Sequence, residues 1–137
     1  MDNDMDEAGI VFLRFSAQMK RWNETFFLPM REDAAAAAEQ AIAELTSIFD
    51  QYVWPDSARG QERLKNPATS QPSDYDPDTD TIEDRETAKS DIIFYVQTNT
   101  GFMDRFRYTM VKRNHVWKLF RREVFNDLLQ KWISHHI

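Results

Sequence analysis

Carboxylates are the side chains best able to do chemistry here, and they crowd into one run, Asp74-Tyr75-Asp76-Pro77-Asp78-Thr79-Asp80-Thr81-Ile82-Glu83-Asp84. Alternating aspartates supply the hard oxygen ligands that calcium takes. The EF-hand loop, however, needs Gly at its sixth position and Glu at its twelfth, and counted from Asp74 these are Thr79 and Arg85. The spacing does not build that loop. Two readings stay open: a solvated acidic connection, or an acidic contact surface that attracts a cationic partner, with Tyr75 as its aromatic anchor.

Other reactive groups are sparse. There is no cysteine, which excludes disulfides, thiolate metal sites and thiol nucleophiles. The three histidines are His115 in a turn and the adjacent His135 and His136, which point to opposite sides of an extended tail and read as surface residues. No nucleophile elbow, P-loop, GxGxxG or HExxH occurs, and Gly9, Gly60 and Gly101 are scattered. Asp104 interrupts an otherwise apolar strand row and could serve as a base in a pocket, but its place beside the turn at Gly101 favours a solvated strand end. No metal, cofactor or catalytic residue is expected.

The elements that must position these groups follow from pattern. The 137 residues suit one domain with one core. Phe12, Phe15, Met19, Trp22 and Phe26 recur at intervals of three and four, which predicts a helix over 6–28, broken at Pro29. Asp33 is a good N-cap for a second helix over 33–53, whose stripe is Ala38, Ala41, Ile42, Leu45, Ile48, Phe49 and Tyr52. Residues 54–80 hold Pro55, Pro67, Pro72 and Pro77 and read as a long irregular loop with a short helical turn around Gln61 to Leu64.

A sheet is expected over 81–124. Thr81 to Lys89 reads as a polar edge strand. Asp91 to Asn99 follows, with Ile92, Phe94, Val96 and Thr98 on one face. In the next strand Phe102, Phe106, Tyr108 and Met110 share a face, and after Asn114-His115 a last strand runs from Val116 to Val124. The tail, 125–137, reads as a short helix on the spacing of Phe125, Leu128, Leu129 and Trp132. The fold class is therefore α+β, with one core formed by Phe12, Phe15, Met19, Trp22, Phe26, Ile42, Leu45, Phe49, Phe94, Val96, Phe106, Tyr108, Met110, Trp117 and Leu119.

Charge narrows the partners. Residues 1–101 carry 20 acidic and 9 basic side chains, a net of −11, whereas 102–137 carry 3 acidic and 8 basic, a net of +5. An overall net charge of −6 and a pI near 5.0 argue against nucleic acid, whose affinity rests on Lys and Arg. The apolar runs are too short for a membrane span, and the acidic opening Met1-Asp2-Asn3-Asp4 is unlike a secretory signal. A cytoplasmic location with no membrane partner is expected.

The amphipathic helix pair, the loop with Tyr75-Asp76-Pro77, the strand Thr98-Asn99-Thr100-Gly101-Phe102, and Arg105-Phe106-Arg107-Tyr108-Thr109-Met110-Val111-Lys112 followed by Trp117 resemble the NTF2-fold immunity proteins of bacterial polymorphic toxin systems. The likeness covers most of the chain, and its specific part is the Gly-Phe step, the Arg-Tyr pair and the short turn before Trp. It implies an NTF2-like cone, two N-terminal helices packed in a curved antiparallel sheet. It also implies a non-catalytic protein that binds and neutralises a cognate toxin domain; the acidic charge of the chain adds the expectation that it does so by occluding the toxin's active site. In that setting Asp74, Tyr75, Asp76, Asp78, Asp80, Glu83 and Asp84 are the expected toxin-binding residues, on a monomer or weak dimer. One departure is the turn Asn114-His115, where a glycine is expected. The rival readings are an isomerase- or cyclase-like enzyme with a pocket between helices and sheet, for which Asp104 would be the inward acid, and a scaffold that dimerises through the Ile93-Tyr95 face.

Overall fold

The computed structural model describes residues 2–57 and 59–137. Helix α1 spans Asp2–Glu32 and α2 spans Ala34–Tyr52. A single residue joins them. The Asp33 side chain accepts from the Ala36 N–H at 3.1 Å, satisfying one orphan donor of the first turn of α2, while its own N–H donates to the Pro29 carbonyl at 2.9 Å. Pro29 therefore does not break α1, contrary to the sequence expectation. It sits in the last turn, where its missing N–H leaves only the Thr25 carbonyl without a helical donor, and Thr25, Leu28 and Pro29 are all exposed to water.

The helix pair lies on one face of a five-stranded antiparallel sheet, the α+β NTF2-like arrangement anticipated from the sequence. The strands are β1 (Thr81–Ala88), β2 (Asp91–Gln97), β3 (Arg105–Arg113), β4 (Val116–Asn126) and β5 (Lys131–His135), and they pair in that order. Phe12, Phe15, Met19, Trp22 and Phe26 of α1, with Leu45 and Phe49 of α2, meet Phe94, Val96, Phe106, Tyr108, Met110, Trp117 and Leu119 of the sheet in one buried cluster. Phe12 stacks on Phe94 with ring centres 5.5 Å apart. Only Ile42 of the expected core is less than fully buried. The Trp22 indole also donates to the Ala41 carbonyl at 2.9 Å, which locks the two helices in register.

Turn chemistry fixes the β3–β4 hairpin. Arg113 pairs with Val116, so Asn114 and His115 form a two-residue turn, with φ of 50° and 66°. Both residues occupy the left-handed region, which Asn and His tolerate better than most, so no glycine is needed.

Two expectations at the other end of the sheet fail. Strand β3 begins at Arg105, leaving Phe102 and Asp104 in the preceding turn rather than in a strand row. The tail forms a strand instead of a helix: β4 continues to Asn126, and Trp132 and Ile133 then pair with Phe125 and Val124. An open edge of β4 offers unpaired backbone groups that a returning strand satisfies and a docked helix would not. Leu128 and Leu129, which completed the apparent helical stripe, lie in the intervening turn.

Candidate protein-binding site

The acidic run splits into an inward and an outward set. Tyr75 lies in the core, 1% exposed, its ring edge-on to Phe15 at 5.2 Å and its hydroxyl donating to the Ile137 carbonyl at 2.9 Å. A tyrosine held in this way is unavailable to a partner, so its expected role as contact anchor is corrected: it anchors the loop to its own core. Burial pushes its phenol well above the usual range, keeping it a neutral donor. Asp76 is also buried and accepts from Lys20 of α1 at 3.0 Å. Burial would raise its carboxyl, but the hydrogen bonds from Lys20 and the Asp78 backbone outweigh that and lower it.

Asp74 belongs to an interior polar knot that pattern reading missed. One of its carboxylate oxygens accepts from Arg63 of the short helix α3 (Glu62–Lys65) and from Arg122 of β4, the latter at 3.4 Å. Burial alone would raise Asp74, and the two guanidinium groups reverse the shift and lower it. Arg122 is 1% exposed and lies between rings, 4.0 Å from the Phe106 centre and 4.5 Å from that of Tyr75. The faces of the rings stabilise the charge that burial would otherwise penalise.

This inward set makes the long connection rigid. Asn23 of α1 reads the loop with both ends of its amide, donating to the Ser70 carbonyl at 2.8 Å and accepting from the Ser70 N–H at 2.9 Å. Asp78, Glu83 and Asp84 remain exposed beyond these anchors, with Asp80 half-buried among them. Burial, reinforced by the Asp76 carboxylate and partly offset by the hydrogen bond from the Asp76 N–H, pushes Asp80 up to about 6. The Asn99 side chain donates to Thr81 Oγ1 at 3.0 Å and to the Thr79 carbonyl, which joins the acidic loop to the β2–β3 turn.

The chemistry of an enzyme pocket is not assembled from these groups. Asp104 lies exposed in the β2–β3 turn, where its carbonyl accepts from the Thr98 N–H and hydroxyl, each at 2.9 Å. A cavity of about 450 Å³ does open beside Arg63, Asp74, Phe106 and Arg122, with His135 and His136 on its wall. Both histidines are held below their usual range, foremost by burial. Among the described residues neither ring bonds a carboxylate, and the two rings lie 4.3 Å apart, so no His–Asp pair is aimed into the cavity. No group of three or more His, Asp or Glu side chains gathers to hold a metal ion, and no helix is long and apolar enough to cross a membrane, among the described residues.

What the arrangement can do is present a fixed surface. The chain is 26% identical over 135 residues, 98% of each chain, to the immunity protein RhsIA of Dickeya dadantii strain 3937. No solved structure gives a significant match. The NTF2 fold immunity protein family matches over residues 7–136, nearly the whole described structure, and this chain belongs to that family.

Proposed function

We propose that this chain is an immunity protein that binds one cognate toxin domain in the cytoplasm and covers its active site with a preformed surface, without chemistry of its own. The observation that carries the reading, beside family membership over residues 7–136, is the rigid presentation of exposed carboxylates. Tyr75, Asn23 and Lys20 hold the loop in place, so Asp78, Glu83 and Asp84 face solvent without an ordering cost on binding. Toxins that act on nucleic acids or nucleotides need a basic cleft, and an acidic surface fills such a cleft with complementary charge and fast association.

Sequencing the adjacent upstream gene and co-expressing any toxin domain that it encodes tests this. The expected result is restored growth and, with purified components, loss of toxin activity that is complete at one equivalent of this chain. Growth arrest despite co-expression, or inhibition by a small fraction of an equivalent, would overturn the stoichiometric occlusion reading.

A further inference from the structure

The sheet end remote from the Asn114-His115 hairpin carries apolar surface that the fold does not use. Two turns project there, residues 98–104 between β2 and β3 and residues 127–130 between β4 and β5. Gln97 pairs with Arg105, Phe106 with Val124, and Phe125 with Trp132, so the two turns leave the same edge of the sheet. A strand spacing of about 4.8 Å puts them about 10 Å apart. Phe102 is 96% exposed and Met103 60% on the first, and Leu128 is 95% exposed and Leu129 59% on the second.

These side chains are held outward by built turns. Gly101, Met103 and Gln130 take left-handed backbone conformations, with φ of 61°, 57° and 52°. The Met103 carbonyl accepts from the Gln97 amide at 2.7 Å, and the Leu129 N–H donates to Asn126 Oδ1 at 2.8 Å. Four large apolar side chains displayed together, none contributing to the core, mark a surface that a partner covers. Its rim is mixed: Asp104 and Asp127 form no ion pair among the described residues, Arg105 and Lys131 flank the same two turns, Arg105 pairing with Glu83, and the acidic loop is tied on through Asn99. Against the first turn lies a cavity of about 450 Å³ lined by Pro72, Thr98, Gly101, Phe102, Asp104 and Phe106. The exposed Phe102 ring and the unpaired Asp104 carboxylate at one opening suit a cationic side chain, while Phe106, already against Arg122, forms the floor.

We propose that the β2–β3 and β4–β5 turns are the apolar anchor of the toxin-docking surface, and that the cavity beside Phe102 receives a lysine or arginine of the toxin. The partner patch is then apolar with a projecting cation. This inference rests on the immunity reading and supplies the contact which that reading leaves unassigned.

Calorimetric titration of the toxin domain identified by co-expression against the wild-type chain, the Phe102→Ser/Leu128→Ser double variant and Asp104→Asn tests it. The double variant should keep the wild-type melting temperature and lose about 100-fold in affinity, the scale of two interface hot spots. Asp104→Asn should lose about tenfold, with a shallower dependence on salt. Wild-type binding with an equally tight double variant would overturn the anchor while leaving the immunity reading standing. An Asp104→Asn variant with unchanged affinity and salt dependence would overturn the cavity assignment. Absence of any wild-type complex would overturn both readings. Self-association of the free wild-type chain, seen by light scattering and lost in the double variant, would assign the patch to a second copy and overturn the proposal.

Discussion

Arg122 lies directly opposite Tyr108 in the β3–β4 ladder, and its Nε donates to the Tyr108 hydroxyl at 3.2 Å. A guanidinium thus stands inside the apolar layer, with Asp74 as its counter-charge. Removing Arg122 empties the space between the Phe106 and Tyr75 rings, takes the donor from the Tyr108 hydroxyl and leaves Asp74 paired with Arg63 alone. Arg122→Ala should lower stability by about 3–5 kcal/mol, and Arg122→Met, which keeps the apolar stem between Tyr75 and Phe106, should lose less. Urea unfolding measures both. Equal losses for Ala and Met would show that the charge, rather than the packing of the stem, is what matters.

Tyr75 separates a structural from a binding role. Tyr75→Phe removes only the hydrogen bond to the Ile137 carbonyl and should cost about 1 kcal/mol. Tyr75→Ala also opens a cavity against Phe15 and should cost about 3–5 kcal/mol. Toxin affinity of Tyr75→Phe should be unchanged. A large affinity loss in a variant that melts like the wild type would return Tyr75 to the interface.

Asp80 gives a pH signature. Its folded carboxyl is pushed up to about 6 by burial, above the value of about 3.9 it has in an unfolded chain. The folded state therefore binds the proton more tightly. The stability this supplies is complete below about pH 3.9 and is lost as pH rises through about 6. Asp80→Asn should be more stable than the wild type at pH 7.5 by about 1 kcal/mol, once solvent screening is allowed for, with the difference shrinking toward pH 4.5. His136, held down at about 4 mainly by burial, acts in the opposite sense: its contribution is present above about 6.5 and is lost as pH falls through about 4. The paired comparison of variant with wild type cancels that second effect, and a difference independent of pH would refute the Asp80 assignment.

Charge reversal at the exposed acids addresses association kinetics. Glu83→Lys and Asp84→Lys together should leave the unfolding midpoint nearly unchanged, because both side chains are exposed and the pair that Glu83 makes with Arg105 lies in solvent. The association rate with the toxin domain should fall by about tenfold or more at low salt and converge on the wild-type rate at high salt. Stopped-flow mixing reads this directly, and rates identical at every salt concentration would remove the acidic loop from the encounter surface. Asp74, Asp76 and Asp78 are unsuitable for the same test, since reversing any of them would break ion pairs with Arg63, Arg122 or Lys20 that hold the loop.

The two helices, the first four strands and nearly all of the core could be read from local periodicity. Those residues obey it because a helix or strand with one buried face must repeat its apolar positions at the period of the backbone. The acidic run was equally visible, but which of its members turn inward was not, because irregular backbone has no period from which to read a face. Tyr75 and Asp78 are three residues apart in one loop, yet one is core and the other solvent.

The same limit explains Arg122. Strict alternation from Trp117 and Leu119 sends Arg121 inward and Arg122 out. In the folded sheet Met110 pairs with Leu119 and Thr109 with Arg121, so Phe120 is an extra residue and the faces exchange beyond it. That bulge decides which arginine enters the core, and it follows from the fit of β4 against β3 and the helices. For α1, α2 and β1 to β4, helix or strand identity is a local property, and the amino-acid order of this chain was enough to determine it. The inward polar knot, the tail strand and the exposed turns Phe102-Met103 and Leu128-Leu129 arise from contacts between residues far apart in the chain, and only the tertiary structure decided them.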